Sequence, residues 1–222
     1  EDYESMLAEK AEPVLQEWKQ RCIDESLLTP RAVYGYFPVG RDGNSLRVFD
    51  ADATQELGRF DLPRQRSGNR YCIADFFNDL DAEALPTDVL PMQAVTMGDK
   101  ASEVAQELFK GDRYSEYLYF HGLAVQMAEA MAEWIHARIR RELGFADPDG
   151  MALRDVLAQR YRGSRYSFGY PACPNVADSR QQLSWLGADR IGLSMDASDQ
   201  LSPEQSTTAL VALHSKARYF SA

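Results

Sequence analysis

A short aromatic and cationic segment in the last third of the chain is the part of the sequence best suited to holding a ligand. Residues 160–174 read RYRGSRYSFGYPACP, with four aromatic residues and three arginines. Gly163 and Gly169 allow the backbone to approach a ligand or to adopt positive φ, and Pro171 and Pro174 restrict the chain beyond them. A rigid loop of this kind suits a ligand that has a flat ring and a carboxylate. The alternative is a loop packed by its own aromatic side chains.

Acidic residues on one predicted helix are the second set of candidates. Glu133 and His136 form Glu-x-x-His, which is half of the motif of carboxylate-bridged di-iron bundles, and the sequence contains no second copy. We therefore favour a solvated or hydrogen-bonded helix face and assign no metal ligand. Glu129 lies between Ala128 and Ala130, small neighbours that would let a ligand approach the helix. Spacing alone favours the alternative, a structural pairing of Glu129 with an arginine.

Composition and missing motifs exclude several common functions. The net charge of −10 argues against a nucleic-acid partner, and the acidic excess lies almost entirely in residues 1–110, so an anion site is easier to place in the second half. No Gly-X-Gly, Walker-type loop or Gly-X-Ser-X-Gly elbow occurs. The three cysteines show no paired spacing, which predicts reduced thiols and a cytoplasmic location. No apolar run approaches the ~18 residues of a membrane span, so no membrane partner is expected.

The elements that must position these residues follow from hydrophobic periodicity and turn signals. An N-terminal helical arm is predicted over about residues 1–30, and the GRDGN turn at residues 40–44 predicts a hairpin. The predicted strands are Ala32–Val39, Ser45–Asp50, Tyr71–Phe77, Asp88–Met97, Ile191–Ala197 and Thr207–Leu213. The predicted helices are Lys100–Lys110, Tyr114–Leu143, Met151–Tyr161 and Asn175–Leu186. Strands in blocks with helices between them predict an α+β fold with a largely antiparallel sheet, formed by a single domain over residues 1–222.

Taken in order, these segments resemble the activation domain of cobalamin-dependent methionine synthase. The resemblance covers about residue 1 to residue 222 and includes the Arg-x-x-x-Gly-Tyr signature at Arg165 to Tyr170, continuing as PACP. Further matching segments are YCIADFF, AVTMG, YLYFHGLAVQMAEA, MAEAMAEWIHARIRREL and LSPEQSTTA followed by ARYF. The resemblance implies a C-shaped α+β domain with a twisted antiparallel sheet, flanking helices and an S-adenosylmethionine site in a shallow groove.

Site residues follow from the resemblance position by position. It implies that Arg165 holds the methionyl carboxylate, because a guanidinium fork fits that planar anion. The other implied S-adenosylmethionine-binding residues are Glu129, Gly169, Tyr170, Ala172, Tyr219 and Phe220. This chain departs from the family pattern at Gln159, where a second site glutamate is expected, and at Phe220, which lacks a phenol for contact with the ligand.

The function implied by the resemblance is repair of a cofactor. The domain would present the methyl group of S-adenosylmethionine for reductive remethylation of oxidised cobalamin, as part of 5-methyltetrahydrofolate–homocysteine methyltransferase. Cobalamin would be bound by a neighbouring module, because this chain has no Asp-x-His-x-x-Gly element, and the electron would come from flavodoxin or an equivalent reductase. No side chain is assigned as a catalytic acid, base or nucleophile, so the chain alone is not a complete enzyme. The alternative is a non-catalytic S-adenosylmethionine-binding or docking module in a standalone protein.

Overall fold

Helices and strands alternate in blocks along the chain. The computed structural model describes residues 5, 7–81 and 85–221. A π-helical turn, Leu7–Ala11, leads into the first α-helix. The α-helices are α1 (Glu12–Asp24), α2 (Asp99–Lys110), α3 (Tyr114–Glu142), α4 (Leu153–Leu157) and α5 (Asp178–Leu186). The strands are β1 (Arg31–Asp42), β2 (Ser45–Phe49), β3 (Glu56–Asp61), β4 (Asp88–Thr96), β5 (Ser164–Tyr166), β6 (Ser194–Met195), β7 (Leu201–Ser202) and β8 (Ser206–Ala212).

The main sheet has six strands in the order β3-β2-β1-β4-β8-β5, and β6 and β7 form a separate two-stranded ribbon. The pairs β1–β2, β2–β3 and β5–β8 are antiparallel. The predicted hairpin is confirmed, with Asp42 opposite Ser45 and Gly43 at φ +61° in the turn. A six-stranded antiparallel sheet with flanking helices confirms the α+β fold class.

One predicted strand is wrong. Residues Tyr71–Phe77 contain a 3-10 turn, Ile73–Phe76, instead of a strand. Asp75 accounts for the turn, because its carboxylate accepts the backbone N–H of Cys72 at 3.0 Å and pairs with Arg64 Nη1 at 2.6 Å. The aromatic residues and Ile73 of this stretch favour a strand. The Asp75 side chain instead accepts a backbone N–H of the same stretch, which favours a turn.

Short elements are the other differences from the sequence prediction. Of the predicted strand Ile191–Ala197 only β6 pairs, and the predicted helix Met151–Tyr161 is reduced to α4. Strands β3, β5 and β7 were not predicted. With three residues, β5 is too short for an alternating pattern to be detected, and Gly58 interrupts the pattern of β3.

The described chain divides into two compact units, so the single C-shaped domain over residues 1–222 stays a prediction. The first unit contains the described residues within Glu1–Ala32, Val95–Ala132 and Ala188–Thr207. Its core includes Trp18 of α1 and Phe120 of α3, whose ring centroids are 5.6 Å apart. Helix α2 buries Ala101, Ala105 and Leu108, the spacing that places side chains on one helix face. Within the described ranges, no helix is both long enough and apolar enough to cross a bilayer.

The second unit contains the described residues within Val33–Ala94, Glu133–Gly187 and Thr208–Ala222, and with them most of the six-stranded sheet. Helix α5 packs on this sheet through Gln182, which is fully buried. Its side-chain amide donates to the carbonyls of Gln93 on β4 at 3.1 Å and Ala209 on β8 at 2.9 Å. A buried amide group is costly unless it is hydrogen-bonded, so these two bonds fix α5 against the centre of the sheet.

Candidate ligand-binding site

Arg165 lies on the edge strand β5 of the second unit. Strand β5 pairs antiparallel with β8, and Arg165 is opposite Val211. The flanking residues Ser164 and Tyr166 are buried, whereas the Arg165 side chain keeps 17% of its surface exposed. Because successive side chains of a strand point to opposite faces, Arg165 leaves the sheet on the face away from its two neighbours. Its Nη1 donates to Oε2 of Glu133, on α3, at 2.6 Å.

Glu133 is the acceptor at the centre of a cluster of charged and aromatic side chains. Besides Arg165, its carboxylate accepts a hydrogen bond from the Tyr161 hydroxyl at 2.8 Å and from Arg140 Nη2 at 3.5 Å. Arg140 is 1% exposed and donates through both Nε and Nη2 to Asp147, at 2.8 and 2.5 Å. The Arg140 guanidinium also lies 3.8 Å from the centroid of the Tyr161 ring. Glu133 therefore connects the Arg165 guanidinium to α3 and to Tyr161 in the segment before β5.

His136 completes this cluster. Its ring is fully buried, and its Nδ1 lies 3.5 Å from Arg165 Nη1. Guanidinium nitrogens only donate hydrogen bonds, so Nδ1 can act only as the acceptor in this contact. Burial, together with the nearby guanidinium groups of Arg140 and Arg165, holds the pKa of His136 well below its usual value. His136 is therefore neutral at physiological pH and adds no charge beside Arg165.

The Glu133–His136 pair lies in this hydrogen-bonded cluster and not in a recognisable metal site. Among the residues that the structure describes, no group of three or more His, Cys, Asp or Glu side chains is placed to hold a metal ion. The pair contacts Arg165, Arg140 and Tyr161 instead.

A tight turn at residues 169–173 presents the second part of the site. Gly169 has φ +92°, a left-handed conformation that glycine adopts without strain. Its N–H donates to the Cys173 carbonyl at 3.0 Å, and the Cys173 N–H donates to the Tyr170 carbonyl at 2.9 Å. Ala172 and Cys173 are buried beneath the turn, and Tyr170 is 56% exposed at its tip. Burial raises the pKa of Cys173 to about 12, so its thiol is protonated and unreactive.

The C-terminal segment at 218–221 places one aromatic side chain inward and one outward. The Phe220 ring is 7% exposed and packs against Tyr71, Phe76 and Tyr166, with centroid distances of 5.8, 6.4 and 5.9 Å. Tyr219 is 45% exposed. Partial burial raises the pKa of the Tyr219 hydroxyl, with smaller contributions from Cys173 and Tyr170.

Most of the residues implied by the family resemblance lie in the second unit, and their joint role in one site stays a prediction. Arg165 is four residues before Gly169, and Tyr219 is in the C-terminal part of the same unit. Ala172 and the Phe220 ring are buried. Glu129 is exposed on the part of α3 that belongs to the first unit.

The sequence reasoning missed the residues that hold Arg165 in place, namely Glu133 as an anchor, Tyr161, Arg140 and Asp147. One signal was available. Glu133 and Arg140 are seven residues apart, which places them on one face of a helix two turns apart. Nothing in the linear sequence indicated that Tyr161 and Arg165 would meet this face.

The second unit thus combines a six-stranded α+β framework with an arginine held by Glu133 and, in the same unit, the exposed rings of Tyr170 and Tyr219. Residues 3–222 match the family model described as vitamin B12 dependent methionine synthase, activation domain. The chain therefore belongs to the family of vitamin B12-dependent methionine synthase activation domains.

Similar proteins agree with this assignment. The chain is 42% identical to the methionine synthase of Mycobacterium tuberculosis and 41% identical to that of Mycobacterium leprae. Each match covers 98% of this chain and 19% of the relative, so the chain spans about a fifth of their length. Among solved structures, it resembles the crystal structure of the MetH reactivation domain bound to AdoHcy. The TM-score is 0.86 at 24% identity, covering 100% of this chain and 72% of that chain, which shows a shared fold.

Proposed function

We propose that this chain binds S-adenosylmethionine and presents its methyl group for reductive remethylation of oxidised cobalamin in a methionine synthase. The observation that carries the proposal is Arg165, a partly exposed guanidinium fixed by Glu133 in the same unit as the exposed rings of Tyr170 and Tyr219. A guanidinium fork matches a carboxylate, and an aromatic surface suits an adenine ring. Family membership and the AdoHcy bound to the structural relative support the same ligand class.

The residues of this chain would act by binding and orientation. Arg165 would hold the methionyl carboxylate, and the turn at Gly169, Tyr170 and Ala172 would receive the adenosyl part, with Tyr219 beside it and Phe220 supporting it from below. Reduced cobalamin, held by a neighbouring module, would supply the nucleophile that takes the methyl group, with the electron coming from flavodoxin or an equivalent reductase. Holding the two reactants in one assembly replaces a bimolecular encounter by a tethered one. No acid or base from this chain is required.

The setting we propose is cytoplasmic. Cys22, Cys72 and Cys173 are free and buried, as expected of a protein kept in a reducing compartment.

Calorimetric titration of the chain with S-adenosylmethionine tests the proposed function. We expect saturable binding of one ligand per chain. Absence of heat and of any thermal stabilisation at millimolar ligand would contradict the proposal, because a ligand that binds the folded state must stabilise it.

Glu129→Gln should weaken S-adenosylmethionine binding by about three- to tenfold and leave the melting temperature of the ligand-free chain nearly unchanged. The family resemblance places this acid near the sulfonium cation, and a carboxylate there favours binding, less so at high salt. Because Glu129 is exposed, its loss should cost little stability. Titration and thermal melting of the variant measure both effects.

Glu103→Gln is the control for this experiment, since Glu103 is an exposed glutamate on α2 of the same unit. It should change neither quantity. A large drop in melting temperature for Glu129→Gln with unchanged affinity would show that Glu129 is structural.

A further inference from the structure

The Arg165 side chain is held by a carboxylate that has several donors around it. Glu133 receives hydrogen bonds from Arg165 on β5, from Tyr161 in the segment before β5, and from Arg140 two turns further along α3. Its side chain is 22% exposed and that of Arg165 is 17% exposed, so the contact between them is largely sheltered from water.

We propose that Glu133 is a positioning residue for ligand binding, which fixes the Arg165 guanidinium in the orientation that receives the carboxylate of the ligand. This inference rests on the proposed function, because it concerns how Arg165 binds S-adenosylmethionine. A guanidinium carries five N–H donors, and the bond to Glu133 uses one of the two on Nη1. An arginine held in advance loses less side-chain entropy when the ligand binds, which improves affinity.

The charges around Glu133 explain why this carboxylate does not simply compete with that of the ligand. Arg140 and the Tyr161 hydroxyl also donate to Glu133, so much of its charge is compensated within the cluster. Asp147 balances Arg140 separately through two hydrogen bonds. Without Glu133, the two guanidinium groups would lose their shared acceptor, and the more exposed Arg165 would lose the charge-assisted hydrogen bond that orients it.

The test compares two ligands that differ at the amino-acid end. S-adenosylhomocysteine has the carboxylate, whereas 5′-methylthioadenosine has the same adenosyl group and no amino-acid part. We expect Glu133→Gln to weaken binding of S-adenosylhomocysteine by about tenfold, or ~1.4 kcal/mol, and to change the affinity for 5′-methylthioadenosine by less than about twofold. A general disturbance of the fold would weaken both ligands alike. Calorimetric titration of the chain measures both affinities.

Glu142→Gln is a matched control. Glu142 lies on the same helix and likewise accepts hydrogen bonds from tyrosines and an arginine, namely Tyr34, Tyr36 and Arg138. It has no contact with Arg165 among the interactions of the described residues, so this variant should bind both ligands as the wild-type chain does.

Two further variants separate the remaining explanations. Tyr161→Phe removes a hydrogen-bond donor to Glu133 while keeping every charge. It should weaken binding of S-adenosylhomocysteine, but not of 5′-methylthioadenosine, by about threefold. This variant also tests the positioning role if Glu133→Gln fails to fold. In an Arg165→Ala background, Glu133→Gln should cause no further selective loss. A further loss there would mean that Glu133 contacts the ligand directly, which would overturn the positioning role.

The inference and the proposed function fail in different ways. If the wild-type chain binds neither S-adenosylmethionine nor S-adenosylhomocysteine, the proposed function is wrong. If it binds them and Glu133→Gln leaves the ratio of the two affinities unchanged, or tightens S-adenosylhomocysteine, only the positioning role is wrong.

Discussion

Replacing Arg140 by alanine is expected to lower the free energy of unfolding by about 3–5 kcal/mol, the usual cost of breaking a buried ion pair by removing one partner. Arg140 is 1% exposed, and its guanidinium donates to Asp147 twice and to Glu133 once. The variant leaves Asp147, which is 20% exposed, without its two charge-assisted bonds. It also removes the cation that lies over the Tyr161 ring. Urea denaturation of both proteins measures the difference.

Arg138→Ala is the control for Arg140→Ala. Arg138 lies on the same helix and pairs with Glu142 at 2.8 Å, but its side chain is 49% exposed. Exposed ion pairs contribute about 0–1 kcal/mol, so this variant should remain close to wild-type stability. If the two variants lose the same free energy of unfolding, burial is not the reason why the Arg140 contacts stabilise the fold. An Arg140→Met variant should not recover stability, because the carboxylates of Glu133 and Asp147 remain.

Arg165→Ala is expected to weaken S-adenosylmethionine binding by about 1.5–3 kcal/mol, or roughly 10- to 150-fold. This is the usual contribution of a charge-assisted hydrogen bond, and bidentate pairing with a carboxylate would place the loss at the upper end. Arg165→Lys should recover only part of the affinity, because an ammonium group lacks the planar fork. Calorimetric titration of the wild type and the two variants measures the effect. Unchanged affinity in Arg165→Ala would remove this residue from the site.

Arg162→Ala controls for the loss of an arginine in the same segment. Arg162 is three residues before Arg165, yet it donates to the Leu213 carbonyl at 2.7 Å and lies 4.0 Å from the centroid of the Phe145 ring. Its removal leaves the Arg165–Glu133 contact in place. We therefore expect S-adenosylmethionine affinity in Arg162→Ala to stay within about twofold of wild type.

Arg140→Ala and Arg165→Ala change the same cluster, but the first should mainly affect stability and the second mainly ligand binding. Arg140 is buried and shares Glu133 with Arg165, so Arg140→Ala should reduce stability first and binding only through a displaced Glu133. Arg165 is partly exposed and its loss should reduce binding more than stability. Residues with a shared partner are not additive, so the double variant should lose less than the sum of the single losses.

Periodicity along the chain was enough to predict the longest elements. Helix α3 was predicted over Tyr114–Leu143 and is observed over Tyr114–Glu142, because a long helix repeats its buried face many times. The strand predicted over Asp88–Met97 is observed as Asp88–Thr96, and the hairpin turn at residues 40–44 was recognisable from its glycines and polar residues.

Two segments could not be predicted from periodicity, because one has the composition of a different element and the other is too short to show a pattern. The stretch Tyr71–Phe77 has the composition of a strand, but it turns at Ile73–Phe76, where Asp75 caps the backbone and pairs with Arg64. The three residues of β5 form a strand because β8 offers an edge for pairing. The strand β5 therefore depends on a partner far away in sequence, whereas the turn depends on contacts of Asp75 with residues three and eleven positions away.

The linear sequence by itself determined the family and the α+β class, and it predicts segment 160–174 as the place for a ligand, because unusual residue types at fixed spacing remain visible without coordinates. The orientation of Arg165 was decided only by the tertiary structure. Glu133, Tyr161 and Arg140 come from two separate parts of the chain, and their hydrogen bonds form only when β5 is placed beside α3. A side chain that is held by distant donors and acceptors has no signature in its own neighbourhood, because the contacts that orient it do not exist until the chain has folded.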